Sequence, residues 1–116
     1  MDDHKLIDSL DTLLLDCDGV LWRGNELLPH VVETLDALRQ RNKRVLFVTN
    51  NASKSRREYV AKFAKLGMHN VTPDDIISSA YAAGAYLAAF PPAQRGKVLV
   101  LGAPGLAEEL RNAGAT

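Results

Sequence analysis

Three short apolar runs, each followed by a helical pattern, constrain the fold of this chain more than any other feature. The runs cover residues 13–15, 45–48 and 98–101, and none alternates with polar residues. Such continuous runs are typical of strands in a parallel sheet, which helices cover on both faces. We therefore predict an α/β fold, with a Rossmann-like parallel sheet and flanking helices.

Turn-forming residues divide the chain further. Ser53 is predicted to cap the helix after the second strand. A hairpin flap is predicted after the first strand, with a three-residue turn at 23–25. Residues 91–96 contain two prolines and a glycine, a composition typical of a linker. The domain boundary is therefore placed there, between a first unit at 1–93 and a second at 94–116.

Two aspartates follow the first apolar run directly. In an extended segment the side chains of Asp16 and Asp18 point the same way, while that of Cys17 points the other. They leave the carboxyl end of a strand, where open α/β sheets bind ligands. One carboxylate can attack phosphorus, while the other protonates the leaving alkoxide and later deprotonates the hydrolytic water. The pair therefore predicts phosphoryl transfer through an aspartyl phosphate.

A second polar run, Thr49, Asn50 and Asn51, follows the next long strand. Its hydroxyl and amide groups are suitable donors to a phosphoryl oxygen. Since two aspartates alone would repel a phosphate, a divalent cation is required, and Mg²⁺ is expected because it prefers oxygen ligands and retains waters. Either run alone would be an ordinary polar turn, so the functional interpretation depends on their combination.

These motifs together resemble those of the haloacid dehalogenase-like phosphatases, in the branch that holds phosphoglycolate phosphatase, pyridoxal phosphatase and 4-nitrophenylphosphatase. Residues 16–22, DCDGVLW, are similar to the first motif of that family. Residues 48–51, VTNN, with 53–56, SKSR, are similar to the second. The resemblance continues through 59–67 and 98–105, and so covers nearly the whole chain.

The resemblance implies a role for each site residue. Asp16 is expected to be the nucleophile and a Mg²⁺ ligand, and Asp18 the acid/base, whose main-chain carbonyl also binds the metal. Thr49, with the backbone around Asn50 and Asn51, is expected to hold the phosphoryl group. The implied substrate is a small phosphorylated metabolite, with 2-phosphoglycolate favoured and 4-nitrophenyl phosphate as an artificial substrate.

The later motifs of the family, a lysine and a set of acidic residues, have no match in this chain. We therefore expect these residues to be part of an enzyme roughly two to three times longer, and to be nearly inactive alone. By the same resemblance, residues 94–116 would be the linker end and first strand and helix of an α/β cap, and residues 1–93 an incomplete core. The full-length parent could form a homodimer through that cap.

Composition narrows the partners and the compartment. Fourteen basic and 14 acidic side chains leave no net charge, so neither nucleic acid nor a membrane surface is expected as a partner. No apolar run approaches the roughly 20 residues that cross a bilayer. Cys17 is the only cysteine and residues 1–9 lack an export signal, so a cytoplasmic location is expected.

Several residues allow two interpretations. Cys17 is expected to pack in the core rather than act as an oxidation switch. Trp22 either packs within the flap or offers a platform to the leaving group. The basic residues after the second motif either form a solvated helical turn or assist phosphate capture; these are Lys54, Arg56 and Arg57. The histidines lack the spacing of zinc ligands; these are His4, His30 and His69.

Other functions are weaker fits. A receiver-type signalling module needs an acceptor aspartate on a later strand, and neither 45–48 nor 98–101 ends in one. A dinucleotide-binding module needs glycines where Asp16 and Asp18 stand. A non-catalytic interaction role for the fragment stays open at this point.

Overall fold

The structure, a computed structural model, describes residues 3–115, with side chains from residue 5 onward. Residues 1, 2 and 116, which belong to the ends of the two predicted units, lie outside the described residues, as does the side chain of His4. The strands are β1 Thr12–Asp16, β2 Trp22–Arg23, β3 Glu26–Leu27, β4 Arg44–Thr49 and β5 Ile76–Ser78. The helices are α1 Asp3–Asp8, α2 Val31–Gln40, α3 Arg56–Lys65, α4 Ser79–Ala88, α5 Pro92–Arg95 and α6 Pro104–Asn112.

The main sheet is parallel, in the order β1-β4-β5. Its register pairs Asp16 with Val48 and Thr49 with Ser78, so the carboxyl ends of the three strands lie side by side. Parallel neighbours need a crossover, which α2 provides between β1 and β4, and α3 between β4 and β5. The predicted α/β fold with a parallel sheet and flanking helices is confirmed. None of the helices between residues 3 and 115 has the length and apolarity to cross a membrane.

One face of this sheet carries the hydrophobic core. Val45 and Phe47 of β4 are buried there with side chains of α2 and α3, among them Leu35 and Phe63. On the opposite face, Leu14 of β1 is 64% exposed. The expectation that every apolar run is buried on both faces is therefore wrong for β1. This strand lies at the sheet edge, where nothing within residues 5–115 buries Leu14.

The run at 98–101 was predicted to be a strand, and this prediction is wrong. The segment has no strand assignment, and its Leu99 and Leu101 are 82% and 83% exposed. A strand needs a neighbouring strand to satisfy its backbone N–H and C=O groups, and apolar composition does not supply one. Within the predicted linker, the short helix α5 forms instead of irregular chain.

Two local predictions were right in kind and wrong in detail. The flap is a hairpin of β2 and β3, but Arg23 pairs with Glu26, so its turn has two residues. Gly24 there has φ 60, which two-residue turns with glycine first require. Ser55 rather than Ser53 caps α3, because only Ser55 has a glutamate three residues later to complete a capping box.

Candidate active site

Asp16 ends β1, and Asp18 lies two residues beyond it. Both residues are exposed, while Cys17 between them is 1% exposed, which confirms the predicted alternation. Burial raises the pKa of the Cys17 thiol to about 12, and the charges of the two aspartates add to this effect. The thiolate is the reactive form of cysteine, so Cys17 is a poor nucleophile. Its side chain packs in the core, as predicted.

The chain folds back on itself directly after Asp18. Gly19 adopts φ 83, and its N–H donates to the carbonyl of Trp22 at 2.8 Å. This turn brings the indole to Asp18, so that Trp22 Nε1 donates to Asp18 Oδ1 at 2.9 Å. Trp22 is fully buried and meets the ring of Phe63 edge-on, with 5.1 Å between centroids. Trp22 therefore packs, as predicted, but against α3 rather than within the flap, and a platform role is wrong because no part of the ring is exposed.

Each of the two carboxylates retains one oxygen atom that the described residues leave without a hydrogen bond. Asp16 Oδ1 accepts from the N–H of Cys17 at 2.9 Å, and Asp18 Oδ1 accepts from Trp22. No hydrogen bond within residues 5–115 engages either Oδ2 atom. Exposed carboxylate oxygens fit Mg²⁺, which binds proteins through one or two carboxylates and keeps several waters. In the described part of the chain no group of three histidine, cysteine, aspartate or glutamate side chains comes together as a ligand set.

Thr49 ends β4, next to the end of β1. It is 4% exposed; its hydroxyl accepts from the N–H of Asn51 at 3.2 Å and lies 3.3 Å from the hydroxyl of Tyr59 on α3. Burial raises the pKa of Tyr59, which keeps the phenol protonated. Tyr59 was not among the predicted site residues because it fits the apolar stripe of α3. The available signal was that a buried tyrosine needs a partner for its hydroxyl.

The loop after Thr49 is held by side-chain bonds at both asparagines. Asn51 Oδ1 accepts from the N–H and the hydroxyl of Ser53, at 2.8 and 2.6 Å. The carbonyl of Asn50 accepts from the hydroxyl of Ser79 at 2.9 Å. The parallel register of β1 and β4 places all the predicted site residues at one edge of the sheet, on the ends of these adjacent strands. Ser79 is a further contributor that sequence analysis did not place here.

The basic residues that follow this loop are engaged elsewhere. Glu109 of α6, 2% exposed, accepts from the backbone N–H of Arg56 at 2.7 Å and from its Nε at 3.1 Å. Arg57 Nη2 pairs with Glu108 at 2.8 Å, and this contact lowers the pKa of the Glu108 carboxyl. Lys54 Nζ lies 5.8 Å from the Tyr59 ring centroid. Both arginines therefore pair with α6 and are not free phosphate ligands; the solvated-turn interpretation holds for Arg57, whose side chain is 71% exposed, but not for Arg56, whose side chain is 21% exposed.

Comparison with known proteins agrees with this architecture. A family model described as haloacid dehalogenase-like hydrolase matches residues 13–116. Phosphoglycolate phosphatase 2 of Arabidopsis thaliana is 50% identical over 112 residues, which are 97% of this chain and 37% of that protein. The chain thus spans little more than a third of the length of this curated relative.

Solved structures show the same arrangement of the chain. A 4-nitrophenylphosphatase from Thermotoga maritima superposes with a TM-score of 0.83 at 29% identity, over 94% of this chain and 41% of that one. A glycerol phosphate phosphatase from Mycobacterium tuberculosis, in complex with magnesium, superposes with a TM-score of 0.80 at 36% identity, over 93% and 32%. With a family match across nearly its whole length, a parallel sheet of the same form and an aspartate pair at the strand end, the chain belongs to the haloacid dehalogenase-like hydrolases.

Proposed function

We propose that the whole protein hydrolyses phosphomonoesters of a small metabolite through an aspartyl phosphate on Asp16. The observation that carries this proposal is the exposed pair of carboxylates at the end of β1, beside the Thr49 loop at the end of β4. Relatives named for phosphoglycolate, glycerol phosphate and 4-nitrophenyl phosphate support a phosphomonoester substrate. We favour 2-phosphoglycolate, because half of the aligned residues match the Arabidopsis phosphoglycolate phosphatase.

The proposed reaction has two displacements at phosphorus. Asp16 Oδ2 attacks phosphorus while Oδ1 stays bonded to the N–H of Cys17, and the bond from phosphorus to the ester oxygen breaks. Asp18 gives its proton to the leaving alkoxide. It then takes a proton from a water that attacks the aspartyl phosphate, which releases inorganic phosphate and restores the Asp16 carboxylate.

Thr49 is proposed to donate to a phosphoryl oxygen, with the backbone around Asn50 and Asn51. A hydroxyl has one proton to give and two lone pairs that accept. If Tyr59 donates to Thr49 across their 3.3 Å contact, both lone pairs of Thr49 are occupied, because Asn51 N–H donates as well. The proton of Thr49 is then free for the substrate, so Tyr59 would set the direction of this hydrogen bond.

Mg²⁺ is the proposed cofactor, and the carboxylate of Asp16 and the main-chain carbonyl of Asp18 are the groups that would hold it. No backbone N–H within residues 3–115 bonds that carbonyl. When bound, the ion would neutralise negative charge on the phosphoryl oxygens. The magnesium complex of the mycobacterial relative supports a divalent cation.

The organisation of the whole protein is also a proposal. Residues 1–93 would belong to the catalytic core, and residues 94–116 would begin a cap that selects the leaving group and through which two copies associate. The natural ligand would be a small phosphorylated metabolite rather than nucleic acid or a membrane, consistent with the absence of net charge. The proposed location is the cytoplasm.

Phosphate release by the full-length protein tests the proposed function. With Mg²⁺ present, 2-phosphoglycolate and 4-nitrophenyl phosphate should both be hydrolysed, and a chelator should stop both reactions. Asp16→Asn should abolish turnover and labelling by beryllium fluoride, whereas Asp36→Asn, at an exposed aspartate of α2, should change neither. Full turnover by Asp16→Asn would refute the mechanism.

The 116-residue chain by itself provides a separate test of completeness. It should be nearly inactive and should regain activity when mixed with a separately expressed downstream half. Robust turnover by the isolated chain, lost in Asp16→Asn, would contradict the proposed need for later segments. Tight self-association without complementation would instead favour a non-catalytic interaction role.

A further inference from the structure

We propose that Trp22 is a positioning residue for proton transfer: its indole N–H holds Asp18 Oδ1, so that Oδ2 is the oxygen presented to the leaving group and to water. The inference rests on the proposed role of Asp18 as acid/base. Its basis is the 2.9 Å hydrogen bond from Trp22 Nε1 to Asp18 Oδ1, made by an indole with no exposed surface.

The indole ring is held from both its edge and its face. Phe63 meets it at 73° with 5.1 Å between centroids, and Lys62 Nζ lies 4.5 Å from its centroid. Both neighbours come from α3, the helix whose Tyr59 contacts Thr49. A ring confined in this way cannot swing its N–H to another acceptor. The direction of the hydrogen bond is therefore set by packing rather than by the aspartate.

The backbone adds a second restraint on the same pair. Asp18 and Trp22 form an isolated bridge, in which the N–H of Gly19 donates to the Trp22 carbonyl at 2.8 Å and the N–H of Trp22 donates to the Cys17 carbonyl at 3.4 Å. Trp22 also begins β2 and pairs with Leu27 across the hairpin. The indole donor of Trp22 and the carboxylate acceptor of Asp18 are thus four residues apart in one hydrogen-bonded turn, which continues into the flap.

The chemistry of the indole decides which oxygen is left for catalysis. An indole N–H is a donor and cannot accept, so Asp18 Oδ1 must be the acceptor in this bond. The Asp18 oxygen that remains available to the leaving group and to water is therefore Oδ2, which no hydrogen bond within residues 5–115 engages. Catalytic groups held by such bonds react from a single geometry, which lowers the cost of orienting them in each turnover.

The kinetic test compares Trp22→Phe with Phe63→Leu in the full-length, Mg²⁺-loaded protein. Both substitutions disturb the same aromatic contact, but only the first removes the N–H. Trp22→Phe should lower kcat about 10- to 100-fold, the range expected for one hydrogen bond to a charged group. Its KM should change less than about 2-fold, because the buried ring does not contact substrate. Phe63→Leu keeps the N–H and an apolar neighbour for the indole ring, so it should lower kcat less than Trp22→Phe does.

A spectroscopic test does not depend on enzymatic activity. Trp22 is the only tryptophan among these 116 residues, and in the protein labelled with ¹⁵N-tryptophan its indole resonance is the one that Trp22→Phe removes. Asp18→Asn should move this resonance clearly further than Asp36→Asn does. If Trp22→Phe fails to fold, the resonance is assigned in the 116-residue chain, where Trp22 is the one tryptophan. The comparison of Asp18→Asn with Asp36→Asn then tests the inference.

The outcomes separate this inference from the proposed function. An inactive Asp18→Asn together with a folded Trp22→Phe of unchanged kcat would overturn the positioning role alone. An indole resonance equally insensitive to Asp18→Asn and Asp36→Asn would overturn it as well. Full activity of Asp18→Asn would instead remove the acid/base role itself, and the inference with it.

Discussion

Gly105→Ala is predicted to lift α6 away from the loop that precedes α3. A Cβ on Gly105 would lie 2.4 Å from the carbonyl oxygen of Ser53, 2.5 Å from the nitrogen of Ser55 and 2.6 Å from the carbonyl carbon of Lys54. These are backbone atoms, which cannot rotate aside, and ordinary contact begins at 3.4 Å. The helix and the loop must therefore separate by 1.0 Å, the difference between 3.4 and 2.4 Å.

Two costs and one gain set the size of the effect. Forcing extra volume into a tight contact costs about 1–3 kcal/mol. Separation also stretches the bonds of Arg56 to the buried Glu109, at 2.7 and 3.1 Å, and weakening the bonds of a buried polar group costs about 1–3 kcal/mol more. Alanine stabilises a helix relative to glycine by at most about 1 kcal/mol. The net loss of unfolding free energy should be about 1–5 kcal/mol.

Thermal unfolding followed by circular dichroism measures this loss. At roughly 4 °C per kcal/mol for a chain of this size, Gly105→Ala should lower Tm by about 4–20 °C. Gly102→Ala is the matched control, because its Cβ would meet only the flexible end of Leu106, at 3.0 Å, and it should stay within about 1 kcal/mol of wild type. A Gly105→Ala variant as stable as wild type would refute the close seating of α6 on this loop.

Three further predictions concern the sheet and the site. Phe47→Ala should lower the free energy of unfolding, measured in urea, by about 3–5 kcal/mol. Leu14→Thr, at a position 64% exposed, should change it by no more than about 0.5 kcal/mol. The reverse order would contradict the assignment of the sheet faces. Cys17 should resist iodoacetamide in the native state and react after unfolding. Because folding raises its pKa from 9.0 to about 12, the free energy of unfolding should fall as pH rises through this interval. Cys17→Ser should lessen that fall. Tyr59→Phe should lose about 1 kcal/mol of stability with its bond to Thr49, and should lower phosphate release by the full-length protein; unchanged values of both would exclude the proposed orienting role.

The sequence by itself predicted the features that depend on local geometry. The parallel strands β1 and β4 follow from uninterrupted apolar runs, and the shared orientation of Asp16 and Asp18 follows from the alternation of side chains in extended chain. The flap was likewise visible, although the turn around Gly24 was one residue too long in the prediction. Each of these signals lies within about ten neighbouring residues, so no knowledge of the rest of the fold was needed.

Only the tertiary structure decided which groups meet across the chain. Tyr59 reaches Thr49 because α3 packs on β4, and Glu109 reaches Arg56 over a separation of 53 residues because α6 seats on the loop before α3. The run at 98–101 was mistaken for a strand, and Leu14 for a buried residue, for the same reason. The hydrophobicity of a segment predicts how much free energy its burial would contribute. Strand pairing and burial also need a partner segment, and the packing of residues distant in the sequence determines which segment that is.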